Sequence, residues 1–128
     1  MFFNRYFAPS FALIVLIALL HYLALDRAYY WTIAWYDIMM HFLGGLWVAL
    51  ATIWILRTER LSFFKKCSWK SVLVAVLVIG VLWEVYEVVF GLTFISDPEY
   101  WGDTTLDLIM DLVGGALGIG VSRDIRHG

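Results

Sequence analysis

Long apolar runs alternate along this chain with short polar interruptions. Four runs are long enough to cross roughly 30 Å of hydrocarbon at about 1.5 Å per helical residue. They lie at about 8–25 (APSFALIVLIALLHYLAL), about 36–56 (YDIMMHFLGGLWVALATIWIL), about 70–92 (with SVLVAVLVIGVLWEVYEVVFGL) and about 104–121 (with TTLDLIMDLVGGALG). The pattern predicts an all-α, polytopic membrane protein: a four-transmembrane-helix bundle forming one domain over 1–128. No repeat or low-complexity segment interrupts it.

Composition agrees: 62% of residues are hydrophobic and 16% charged, and the mean hydropathy is +0.81. A soluble domain would be about half apolar and about a quarter charged. Seven Trp, seven Tyr and nine Phe are an aromatic load that suits interfacial belts. Trp31, Trp35, Tyr36, Tyr100 and Trp101 are expected to form the outer belt, or the rim of a site opening there. Arg5 before the first run resembles a signal-peptide start, but no clear A-x-A site follows, so the run is expected to be retained. Cys67, the single cysteine, excludes an internal disulfide and a thiolate metal cluster.

Orientation follows from the basic residues. Arg5 precedes span one; Arg57, Arg60, Lys65, Lys66 and Lys70 surround the connection between spans two and three; Arg123 and Arg126 follow span four. Only Arg27 falls on the other side. The positive-inside rule therefore puts both termini and the 57–70 connection in the cytoplasm, an N-in/C-in arrangement. The basic, aromatic run WILRTERLSFFKKCSWK then reads as an inner-leaflet anchor for anionic lipid, not a nucleic-acid surface.

The acids are distributed in the opposite way. Apart from Glu59 and Asp124, they fall in the outer loops or the outer halves of spans: Asp26, Asp37, Glu84, Glu87, Asp97, Glu99, Asp103, Asp107 and Asp111. At about 100° per residue, Asp103, Asp107, Asp111, Gly114 and Gly118 share an arc of about 80°. Asp37, His41 and Gly44 share a face of span two, and Gly80, Glu84, Glu87 and Gly91 a face of span three. Small residues let membrane helices approach closely, so the glycine faces, and the acids on them, are expected to point into the bundle.

A charged side chain at bilayer depth costs at least about 2.5–3.5 kcal/mol on insertion scales and usually pairs or marks a pathway. No base except Arg27 lies near this depth. Either the acids share protons or a cation sits among them. Capping of helix N-termini is a plain alternative for Asp37 and Asp103. Carboxylates with one imidazole suit a divalent metal ion: Mg²⁺, Mn²⁺ or Ca²⁺, with Zn²⁺ or iron admitted by the histidine. Glu84-x-x-Glu87 and Asp37-x-x-x-His41 each present two ligands on one helix face, as in bundle-core metal sites. The candidate metal ligands are Asp37, His41, Glu84, Glu87, Asp103, Asp107 and Asp111, with His41, Glu84 and Asp107 nearest the chemistry. His21 reads as a packed histidine, and acids crowding the site disfavour a haem held by His21 and His41. No G-x-S-x-G, phosphate-cradling loop or H-E-x-x-H is present.

The stretches YDIMMHFLGG, LWEVYE and DTTLDLIMDLVGGALG resemble the VanZ-like and YjdF-like group of small bacterial membrane proteins. The pattern in that group is an Asp-x-x-x-His pair opening one span, an acid-bearing third span and a final Asp-rich helix running into glycines. Asp37, His41, Glu84, Glu87, Asp103, Asp107, Asp111 and Gly114 match it, and the resemblance covers about 36–120. The chain departs from VanZ proper in lacking a Gln/Arg-containing stretch before the last span; its double glutamate favours the YjdF-like branch. The resemblance implies a protein of the bacterial cytoplasmic (inner) membrane, VanZ itself being linked to glycopeptide-antibiotic tolerance, and it names no substrate.

Three functions fit this pattern. The first is a metal-dependent enzyme acting on a lipid or lipid-linked, phosphate-bearing substrate at the outer leaflet, with His41 as ligand or general base. The second is a cation or proton conduit, although the inner half lacks matching polar residues. The third is a non-catalytic structural or regulatory subunit. Membrane lipids are the expected partners, with no nucleic acid; a homo-oligomer or larger membrane complex stays open. The topology is checked by labelling Glu99→Cys in a Cys67→Ser background with a membrane-impermeant thiol reagent. Residue 99 should react from outside in intact cells, and reaction only after the inner face is exposed would reverse the scheme.

Overall fold

A computed structural model describes residues 3–58 and 68–122. Glu59, Arg60, Lys65, Lys66, Cys67, Arg123, Asp124 and Arg126 of the sequence reading lie outside the described residues. The described chain is helical: α1 (Phe7–Asp26), a single-turn α2 (Tyr29–Thr32), α3 (Tyr36–Leu56), α4 (Trp69–Val89) and α5 (Tyr100–Val121). Helices α1, α3, α4 and α5 are each long and apolar enough to cross a membrane. This is a four-helix membrane bundle.

Helix α1 is apolar around its whole circumference and buries only the small Ser10 and Ala24. Pro9 stands in its first turn, where its missing N–H leaves no bond unmade. A helix of this kind turns most of its surface to lipid. Helix α3 is the centre of the bundle, burying Tyr36, Met40, His41, Gly45, Val48, Ala49, Leu50 and Ile53. Its inner half packs with Val72 and Val76 of α4 in an apolar core.

The ends of the elements follow from local chemistry. Ser68 caps α4, its hydroxyl accepting from the Ser71 N–H at 3.3 Å. At the other end the Leu92 and Gly91 N–H groups donate to the Glu87 and Val88 carbonyls, with Gly91 at φ +70°. This is a Schellman ending, which requires a left-handed residue. Span three therefore stops at Val89, short of the expected 92, and Gly91 sits beyond the helix instead of on its inner face. Helix α5 starts four residues earlier than expected. The Tyr100 N–H donates to the Asp97 carbonyl and the Glu99 N–H to the Asp97 side chain, so a turn around Pro98 launches a polar first turn that hydropathy does not reveal.

At the inner end the Asn4 side chain donates to the Trp54 carbonyl at 3.1 Å, and the Tyr6 hydroxyl meets Ser122 Oγ at 2.9 Å. The chain before α1, the end of α3 and the end of α5 are thus gathered on one side, the up-and-down order that the basic residues predict. At the outer end, α2 follows Ala28 in the left-handed region and packs Tyr29 and Tyr30 against Tyr36. Tyr36 also donates to the Leu20 carbonyl at 2.8 Å. Tyr36 and Tyr100 are therefore core residues, while Trp31, Trp35 and Trp101 are exposed as a belt requires.

Glycines set the distance between α3 and α5. A Cβ at Gly45 would land on the Asp111 carbonyl, one at Gly114 on the Phe42 carbonyl, and one at Gly118 would lie 2.7 Å from Ala49 Cβ. Each obstacle but the last is backbone, which cannot swing aside. Gly45→Ala and Gly114→Ala should each lower stability in detergent by about 1–3 kcal/mol, the usual cost of overpacking. Gly120→Ala, with nothing within 4 Å, should leave the melting temperature unchanged. Equal melting of all three variants would refute close α3–α5 contact.

Candidate metal centre

Three helices converge on His41. Its ring is almost completely buried, the whole residue being 3% exposed. Asp37 lies one turn outward on α3, Glu84 and Glu87 approach from α4, and Asp107 and Asp111 from α5. His41 Nδ1 lies 3.2 Å from Asp111 Oδ2. His41 Nε2 lies 3.5 Å from Glu84 Oε1, 3.7 Å from Asp37 Oδ1 and 3.9 Å from Asp107 Oδ2.

Asp111 owes its place to missing side chains opposite. Its carboxylate occupies the space a Cβ at Gly80 would take and lies 3.9 Å from the position of one at Gly44. With Asp111 accepting from Nδ1–H, Nε2 is left facing three carboxylates. His41 Nε2, Glu84 Oε1 and Asp37 Oδ1 are all buried without a hydrogen-bond partner. Buried polar atoms are rarely left so, and each costs about 1–3 kcal/mol when it is. Two ligands of one ion, each about 2.1 Å away at angles of about 90–110°, lie roughly 3.0–3.4 Å apart. The Nε2–carboxylate distances exceed this by a few tenths of an ångström, a gap that small side-chain movements close. Two ligand sets meet the spacing for a shared ion: Asp37, His41 and Asp107, and His41, Glu84 and Glu87, each with atoms within 4.8 Å of one another.

The outer halves of the helices and the two outer loops enclose a cavity of about 560 Å³ above this point. Its walls carry Asp37, Glu84, Glu87, Asp97, Glu99, Asp103 and Asp107, with Tyr30, Trp31 and Phe94 among the aromatic and apolar groups. No lysine or arginine among the described residues lines it. Arg27, the one base expected on this side, pairs with its neighbour Asp26 at 3.0 Å on the exposed surface. A separate cavity of about 100 Å³ on the inner side is walled chiefly by apolar groups, Ile14, Ile17, Val48, Val76 and Ile79 among them, and is also lined by His41 and Asp111.

The structure brings His41, Asp37, Glu84, Glu87, Asp107 and Asp111 together and leaves Asp103 apart. Asp103 is exposed at the cavity mouth and belongs to neither ligand set. Neither α3 nor α5 has a side-chain cap hydrogen bond, but Asp37 and Asp103 each lie in the first turn of their helix, where a carboxylate favours the helix dipole. His21 is packed, as expected: its ring nitrogens meet the Tyr30 hydroxyl at 2.7 Å and the Tyr86 hydroxyl at 3.2 Å. Burial pushes the Tyr30 hydroxyl well above its ordinary pKa, so it keeps its proton and can donate to His21.

Two supporting residues escape the sequence reading. Thr104 Oγ1 donates to Glu84 Oε2 at 2.9 Å, and Trp83 Nε1 donates to Glu87 Oε1 at 3.1 Å. Spacing offered a signal for both, since Trp83 precedes Glu87 by four residues and Thr104 precedes Asp107 by three. The Asp111 contact should fix the His41 tautomer. Nitrogen-15 spectra of the histidine rings should show a single Nδ1–H form for His41 in the wild type and a tautomer mixture in Asp111→Asn and Gly80→Ala. An unchanged His41 spectrum in both variants would remove Asp111 from its orienting role.

No curated protein and no solved structure matches this chain. Residues 4–126 match a family model described as a predicted membrane protein (DUF2238). The match takes in all four helices and every residue of the cluster, and the chain belongs to that family.

Proposed function

We propose that this protein is a divalent-cation-dependent enzyme of the bacterial inner membrane, acting on a phosphate-bearing lipid or lipid-linked substrate at the outer leaflet. The observation that carries the reading is His41 Nε2, buried, without a hydrogen-bond partner and facing Glu84, Asp37 and Asp107, three carboxylates that line the acid cavity. One imidazolium proton cannot balance that many carboxylates, whereas a divalent ion bonded to Nε2 and two or three of them can. The arrangement Asp111–His41–cation repeats the carboxylate–histidine–metal pattern, in which the outer carboxylate orients the ring and raises its basicity.

In this reading Asp37, His41, Glu84, Glu87 and Asp107 supply the ligands, and Asp103 draws cations to the mouth. Such an ion would neutralise phosphate oxygens and activate a water or hydroxyl nucleophile. With Nδ1 committed to Asp111 and Nε2 to the ion, His41 serves as a ligand and not as the general base. Proton acceptance falls to whichever of Glu84 and Asp107 the ion leaves uncoordinated, since both carboxylates line the cavity. The Thr104 hydroxyl holds Glu84 Oε2 and leaves Oε1 free for the ion or the proton. The kinship with VanZ-like and YjdF-like proteins belongs to the same reading and rests on the motif pattern. A conduit is less well supported, because the polar lining ends at His41 and Asp111.

A melting series with and without chelator tests the proposal. Glu84→Gln should lose most bound metal, and Asp111→Asn should bind it about 10–100-fold more weakly, as orienting-partner substitutions do. Both should melt below wild type in metal-replete buffer and match or exceed it after chelation, when the wild-type carboxylates repel one another. Wild-type protein that holds no divalent ion and melts alike with and without chelator would refute the proposal.

A further inference from the structure

Helices α4 and α5 leave a second recess on the outside of the bundle, of about 310 Å³. Its walls include Val81, Val85, Val88 and Leu108, with Ile95 and Trp101 among the flanking groups. Val81, Val85 and Ile95 are exposed, and both helices are membrane-crossing, so the recess opens into the hydrocarbon of the outer half. Glu84 and Thr104 also belong to its lining, and both line the acid cavity as well. The Thr104–Glu84 hydrogen bond therefore stands between an apolar groove and a carboxylate chamber. The Glu84 side chain is 7% exposed, and its Oε1 atom has no partner. The matching gap between α1 and α4 offers no such connection, since His21 bridges to Tyr86 and Trp83 across its outer end.

We infer that the α4–α5 groove holds an acyl chain of a phospholipid whose phosphate reaches the cation site past Thr104 and Glu84. The inference rests on the metal reading of the cavity, because the carboxylates alone would repel a phosphate. The bilayer supplies the chain, apolar walls receive it, and the groove meets the chamber at the two residues the head group must pass. Trp101, exposed at the outer edge, suits the interfacial depth at which the head group begins. Thr104 acts here as a positioning residue for Glu84.

The test uses a phosphatidylglycerol with a diazirine in mid-chain and a diacylglycerol carrying the same chain. Both are incorporated into nanodiscs with manganese-loaded full-length protein, cross-linked and mapped by residue-level mass spectrometry. The phospholipid should label Val81, Val85 and Leu108 several-fold more than the diacylglycerol does. Val85→Trp should abolish that difference while retaining bound manganese, and Val78→Trp should preserve it. Val78 is the fair control, because the two valines are 52% and 53% exposed and only Val85 lines the groove. Equal labelling by the two lipids, or a difference that survives Val85→Trp, overturns the inference. Manganese content of the same samples separates the two ideas. Bound manganese with equal labelling refutes the groove alone, and absence of manganese from wild-type protein refutes the metal reading and the groove with it.

Discussion

The electrostatic cost of several carboxylates held at membrane depth without a base governs much of this structure. Asp37, Glu84, Glu87, Asp107 and Asp111 gather around a single imidazole, and Arg27, the one arginine at this end of the bundle among the described residues, pairs with Asp26 on the surface. A carboxylate in a low-dielectric interior needs a counter-charge, a proton or water. The bundle provides for this need in three ways: a cavity open to the outer side, hydrogen bonds from Thr104 and Trp83, and a histidine nitrogen aimed at the acids. The last is the most telling, since a buried ring nitrogen facing three carboxylates calls for a cation or a proton between them.

Packing and chemistry share the same glycines. Gly45 and Gly114 bring α3 and α5 to backbone contact, and Gly80 makes the room that Asp111 fills beside His41. A membrane helix pair has little hydrophobic drive to associate, so close approach through small residues supplies the contact area. That approach fixes the depth and direction of Asp111 and Asp107, one and two turns outward of Gly114 along the same helix. Inward of the site the core is chiefly apolar around Val48, Ile53, Val72 and Val76, which fits a bundle that binds at one face.

Much of this was legible in the sequence, for identifiable reasons. Lipid forces every span to be a helix, so hydropathy found all four, and α3 runs over 36–56 as expected. The period of about 3.6 residues placed Glu84, Glu87, Asp107 and Asp111 with the glycines on the inward faces, where they are buried. Legibility failed where water and turn chemistry replace lipid. The polar first turn of α5, the Schellman ending at Gly91 and the single-turn α2 leave no hydropathy signal. Angle alone also could not separate Asp103 from Asp107: they share a face, but one extra turn outward leaves Asp103 in solvent. Nor could periodicity show that Tyr36 and Tyr100 turn inward, since an interfacial tyrosine and a buried one have the same spacing.

The central claim is that a divalent cation occupies the space between His41 Nε2 and the carboxylates around it. An anomalous-difference map at the manganese edge, from crystals of protein prepared without chelator and supplied with manganese, locates such an ion directly. The account predicts a peak at bonding distance from His41 Nε2 and from at least two of Asp37, Glu84, Glu87 and Asp107. A map with no peak there, or with density only among Asp97, Glu99 and Asp103 at the cavity mouth, would contradict it.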